Sequence, residues 1–118
     1  MIGGEHMIKI REDKNLIMMT RSDTLIVKIN IKDSDGNDYV PESTDTLRFA
    51  LKKNYNDEDV LIYKEIPIDT LTLRLDSRDT ANLEQPATYY YDIQLTYGDG
   101  IVSTIIANAM LKITEEVD

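Results

Sequence analysis

Few residues in this chain could carry acid–base, nucleophilic or metal chemistry, and their spacing does not gather them. The only histidine is His6, close to the N-terminus, and there is no cysteine. With its one histidine in the first six residues, read as a flexible lead-in, no Ser-His-Asp arrangement is expected, and a Cys-His arrangement, a multi-histidine metal site or a thiolate site cannot be built within one chain. Carboxylates are plentiful at 22, and two of them can run a hydrolase alone. So many acids on a small domain also fall close together as ordinary solvated surface. The expectation is that the protein is not an enzyme and uses no cofactor.

The run Asp33-Ser34-Asp35-Gly36-Asn37-Asp38 offers alternate oxygens of the kind that converge on a hard cation. A calcium loop of the EF-hand type needs glycine at its sixth position and a bidentate glutamate at its twelfth, whereas Gly36 is fourth and Thr44 falls twelfth. A hairpin turn whose Asp and Asn side chains bond their own backbone is the simpler reading, and no metal is expected. The aromatic set is skewed, with seven Tyr, one Phe and no Trp. Tyrosine covers contact area at low entropic cost and keeps a polar tip, which suits protein or sugar contacts. Tyr39, Tyr55, Tyr63 and Tyr90 are the binding candidates, while Tyr89 and Tyr91 read as core.

Those assignments depend on which elements hold the tyrosines. Apolar residues recur at every second position, the period of a pleated strand with one face buried. Over residues 88–97, Tyr89, Tyr91, Ile93, Leu95 and Tyr97 fall on one face and Tyr90, Asp92 and Gln94 on the other. Residues 24–32 repeat the pattern through Leu25, Val27, Ile29 and Ile31, with Ile26 breaking the polar face, and residues 46–52 through Leu47, Phe49 and Leu51. Further strands are predicted at 7–11, 15–19, 60–66, 70–75, 101–107 and 110–114. Gly98-Asp99-Gly100 supplies a tight hairpin. Asp76, Ser77 and Asp79 can cap a turn or two of helix before Pro86, read as a crossover between sheets.

Many short strands and no amphipathic helix predict two sheets packed face to face. At 118 residues the chain is the size of one domain. Residues 1–6 are set apart as a flexible or non-native lead-in, and residues 7–118 form the expected domain. Thirteen Lys and Arg against 22 Asp and Glu give a formal charge of -9, the wrong sign for attracting phosphate backbones or anionic lipid. No apolar run approaches the ~20 residues of a membrane-spanning helix. Neither nucleic acid nor membrane insertion is expected.

The segment Leu83-Glu84-Gln85-Pro86-Ala87-Thr88-Tyr89-Tyr90-Tyr91 resembles the entry to a late strand in fibronectin type III and other immunoglobulin-like domains. There a tyrosine bonds back across the corner, a role the resemblance assigns to Tyr89, with Tyr91 as the rival. A longer series comprises Asp35-Gly36-Asn37, Asp45-Thr46-Leu47-Arg48-Phe49-Ala50-Leu51-Lys52-Lys53, residues 83–95 with Tyr91-Asp92-Ile93-Gln94-Leu95, Gly100, and Thr104-Ile105-Ile106. Over about residues 14–114 this patterning is similar to the immunoglobulin-like N-terminal domain of phage and prophage tail baseplate upper proteins of Gram-positive bacteria. Members of that family carry further domains and help hold host-recognition proteins on the virion. The resemblance implies an immunoglobulin-like antiparallel β-sandwich of about seven to nine strands with one short helical crossover turn. It implies a non-catalytic structural or attachment module of a tail or baseplate. Its partners would be other phage structural proteins or copies of itself, and it would reside on the virion, or in the bacterial cytoplasm before assembly. A carbohydrate-binding module for a bacterial surface glycan is the alternative.

Overall fold

The period-two alternation becomes strands wherever one face can be buried. In the computed structural model, which describes residues 9–11, 15–33, 35–54, 56–84 and 86–114, these are β1 (Lys9–Arg11), β2 (Leu16–Thr20), β3 (Leu25–Lys28), β4 (Thr46–Lys52), β5 (Ile62–Ile66), β6 (Thr72–Leu75), β7 (Ala87–Thr96) and β8 (Val102–Thr114). A single helical turn, α1 (Ser77–Thr80), separates β6 from β7. His6 lies outside the described residues, and so does the start of the strand predicted at 7–11.

The strands form a six-stranded sheet in the order β1-β2-β8-β7-β4-β5 and a two-stranded sheet of β3 and β6. The chain crosses between sheets from β2 to β3, from β3 to β4, from β5 to β6 and, through α1, from β6 to β7. With β3 and β6 in one layer and β4, β7 and β8 adjacent in the other, this is the connectivity of an immunoglobulin-like β-sandwich. Two details depart from an even, fully antiparallel sandwich. The layers are unequal, and β2 runs parallel to β8, pairing Ile17 with Leu111 and Thr20 with Thr114.

The core lies between the layers. Leu47, Phe49 and Leu51 of β4 alternate inward beside Tyr89, Tyr91, Ile93 and Leu95 of β7, and all are buried. Leu25, Val27, Leu73 and Leu75 close the core from the small sheet. Ile29 and Ile31, just past β3, continue its buried face, and the Ile29 N–H donates to the Leu71 carbonyl at 2.7 Å. Two sheet strands therefore suffice to cover the apolar face of the larger layer. Phe49 packs on Tyr91 with ring centroids 5.4 Å apart.

The crossover is fixed by local polar contacts. The Asp76 N–H donates to Asp79 Oδ2 at 2.7 Å, and Lys64 Nζ lies 3.0 Å from the same oxygen. Thr80 is fully buried, and its Oγ1 accepts the Ser22 N–H at 2.9 Å. A few residues later the Glu84 N–H donates to the Tyr89 hydroxyl at 2.8 Å. Tyr89 thus closes the corner into β7, whereas Tyr91 donates its hydroxyl to the Asn15 carbonyl at 2.5 Å.

The two strands predicted at 101–107 and 110–114 are one continuous strand. Asn108 takes a left-handed φ of 54°, and its N–H donates to Asp92 Oδ1 at 2.8 Å. The ladder between β7 and β8 shifts register twice nearby, between Tyr91 and Ile93 and between Ile93 and Gln94. Extra residues absorbed as bulges break the alternation without ending the strand. The hairpin before it is as predicted: Gly100, with φ of 92°, closes a three-residue loop, and the Tyr97 N–H donates to the Ile101 carbonyl at 2.8 Å.

Candidate functional surface

The described residues of the acidic run at 33–38 form a turn. Asp33 Oδ1 accepts the N–H groups of Asp35 and Asn37 at 2.9 and 3.0 Å, and Lys32 pairs with Asp38 across it. Among the described residues no group of three or more His, Cys, Asp or Glu is placed to hold a metal ion. Asp38, Asp45 and Asp76 have their carboxyls held below the usual range, chiefly by bonds from Lys32, Tyr39 and Arg74 respectively. A general acid needs the opposite shift.

Asp45 is one of only two buried polar residues among those described. Its Oδ2 accepts the Tyr39 hydroxyl at 2.7 Å and the Glu42 N–H at 2.9 Å, and its Oδ1 accepts the Gly98 N–H at 3.1 Å. Tyr39 also meets Tyr97 edge to face, with centroids 5.9 Å apart. One carboxylate therefore ties the loop before β4 to the hairpin between β7 and β8. Tyr39, singled out as a contact residue, is half-buried and spends its hydroxyl inside the molecule. Its bond to Asp45, with burial adding to it, pushes the phenol up from 10.0 to about 12.

Both shifts contribute to the pH dependence of stability. Asp45 is depressed below 3.8 in the fold, so what it contributes is present above that pH and is lost as pH falls through 3.8 toward the folded value. Tyr39 is raised, so its contribution is full below pH 10 and is lost between pH 10 and about 12. Urea midpoints followed against pH are expected to fall at both ends, with Tyr39→Phe flattening the alkaline limb and Asp45→Asn the acid one. An alkaline limb unchanged in Tyr39→Phe would remove Tyr39 as its origin.

Tyr63 and Tyr90 share the outer face of the large sheet, on β5 and β7 with β4 between them. The register places Tyr63 beside Ala50, and Ala50 beside Asp92. One row along, Lys52 pairs with Tyr90 and Tyr90 with Met110. The small Ala50 leaves a shallow concavity of about 230 Å³, walled by Arg48, Lys52, Val60, Tyr63, Asp92 and Gln94. Arg48 Nη2 donates to Gln94 Oε1 at 3.0 Å. Tyr63 is 57% exposed and Val60 45%; Tyr90 is half-buried and has a partner within the chain. Val60, expected inside a strand, lies before β5 on the surface. Tyr55 lies outside the described residues.

The strand residues of this face that tyrosine type alone does not point to are Arg48, Ala50, Lys52, Asp92 and Gln94. Their signal lies in the opposite parity of strands whose buried parity is plain: every second residue of β4 and β7 has to share the outward face.

Fold and outer face together define an immunoglobulin-like β-sandwich presenting a mixed aromatic and polar sheet face. No family model, curated protein or solved structure matches the chain.

Proposed function

We propose that this chain is a non-catalytic, phage-derived structural or attachment module, of a tail or baseplate, that works through protein–protein contacts. The observation that carries the contact mode is the outer face of β4, β5 and β7. There an exposed Tyr63 and Val60 surround a dip over Ala50, rimmed by Arg48, Lys52, Asp92 and Gln94. An exposed aromatic anchor within a polar rim is the make-up of a protein interface. What supports the phage assignment is the resemblance in strand and turn patterning, whose implied sandwich is the fold observed. Residence on a virion, or in the bacterial cytoplasm before assembly, belongs to the same reading.

A glycan is the second reading. It is favoured by a tyrosine ring beside Arg48, Asp92 and Gln94, which can bond sugar hydroxyls.

Tagged full-length chain is expected to capture tail or baseplate proteins, identified by mass spectrometry, from a phage-induced lysate of the source strain. Tyr63→Ser is expected to lose that capture while unfolding at the wild-type temperature. Capture undiminished by Tyr63→Ser would move the contact off this face. Binding to surface glycan without any structural protein would replace the assembly reading with the second one.

A further inference from the structure

We infer that the open edge of β8 pairs with the same edge of a second copy of this chain, antiparallel across a two-fold axis. β2 covers β8 only from Leu111 to Thr114. Among the described residues no strand pairs with residues 102–110 on the side away from β7. That side carries backbone donors and acceptors that an added strand can satisfy.

Sequence sets this edge apart from others on the molecule. Open-edged strands are guarded against chance pairing by charges, and β3 carries Lys28, β5 carries Lys64 and Glu65, and β6 carries Arg74. Residues 101–111 hold no charge at all, in a chain of net charge -9. Two copies therefore repel through their net charge, to which this segment adds nothing. Ile101 and Val102, which open it, are 62% and 49% exposed.

An antiparallel pairing of one segment with itself is isologous and closes at two copies. The consecutive pairs Gln94 with Thr104, Leu95 with Ser103 and Thr96 with Val102 keep regular register. The bulges lie further along, so the two-fold falls nearest residues 102–104. This pairing does not depend on what binds the outer sheet face.

Sedimentation of the full chain from micromolar to near-millimolar concentration is expected to show a monomer–dimer equilibrium. Salt is expected to tighten it, because it screens repulsion between two acidic copies. Val102→Lys is expected to weaken the dimer about tenfold or more, by setting like charges near the axis, at an unchanged unfolding midpoint. That substitution lowers the net charge, so a purely global electrostatic effect would act in the opposite direction. Thr104→Lys should behave alike, and Glu65→Thr on the β5 edge should leave the dimer intact. A monomer at every concentration, or a dimer indifferent to both lysines, would overturn the pairing.

Discussion

Leu95→Asp is expected to abolish the cooperative unfolding transition. Leu95 is fully buried and stands between Leu47 on β4 and Ser103 on β8. The substitution forfeits the packing of a core leucine, about 2–5 kcal/mol. It also places a carboxylate beside Leu47 and Ser103, neither of which is a cation, for a further cost of several kcal/mol, on the order of 3 or more. A chain of 118 residues has a stability of about 6–18 kcal/mol in total, so the two losses together, about 5–8 kcal/mol or more, exhaust it at the lower end of that range. Thr88→Asp, on the exposed parity of the same strand, should change stability by no more than about 0.5 kcal/mol. Circular dichroism during thermal unfolding distinguishes them, and a native-like transition in Leu95→Asp would show that β7 does not face inward at that position.

Phe49→Ala ranks second and should leave a folded but weakened protein. Phe49 is fully buried at the middle of β4 and leans on Tyr91 at 5.4 Å with an interplanar angle of 34°. Truncation opens a cavity walled by strands on both flanks that cannot collapse into it. The expected loss is about 3–5 kcal/mol, read as a lower urea midpoint at unchanged slope. Phe49→Leu refills much of the volume and should recover a large part of the loss. A loss below about 1 kcal/mol for Phe49→Ala would be that of a surface position and would contradict the packing.

Both variants probe positions whose burial is legible in the alternation of the sequence alone. Leu47, Phe49 and Leu51, and Tyr89 through Leu95, announce their inward face because a pleated strand puts alternate side chains on opposite sides whatever its neighbours are. The hairpin at Gly98-Asp99-Gly100 is legible for a similar reason: turn conformation depends on three residues, and glycine permits the left-handed one that Gly100 adopts. The crossover turn at Asp76 follows from capping oxygens that act within a few residues.

The candidate surface is legible by halves. Tyr63 and Tyr90 are identified by type, but their place on one face comes from β5 pairing with β4 and β4 with β7, contacts between residues far apart in sequence. Tyr39 is identified by type as well, and what its type does not reveal is that Asp45 takes up its hydroxyl. A buried carboxylate with three donors from separate segments leaves no local pattern. The bulges that make β8 one strand look like an interruption in the sequence, because an inserted residue flips the alternation while the ladder on either side persists.

By itself the sequence determined most of the strand content, the buried parity of β3, β4 and β7, the tight hairpin and the net negative charge, since each follows from geometry spanning a few residues or from summed charge. Only the tertiary structure decided the unequal layers, the parallel approach of β2 to β8, the Asp45 tie between loops, and the edge of β8 that no described strand covers. Those depend on which distant segments meet, and pairing partners are set by the fit of the whole core rather than by any single strand's pattern.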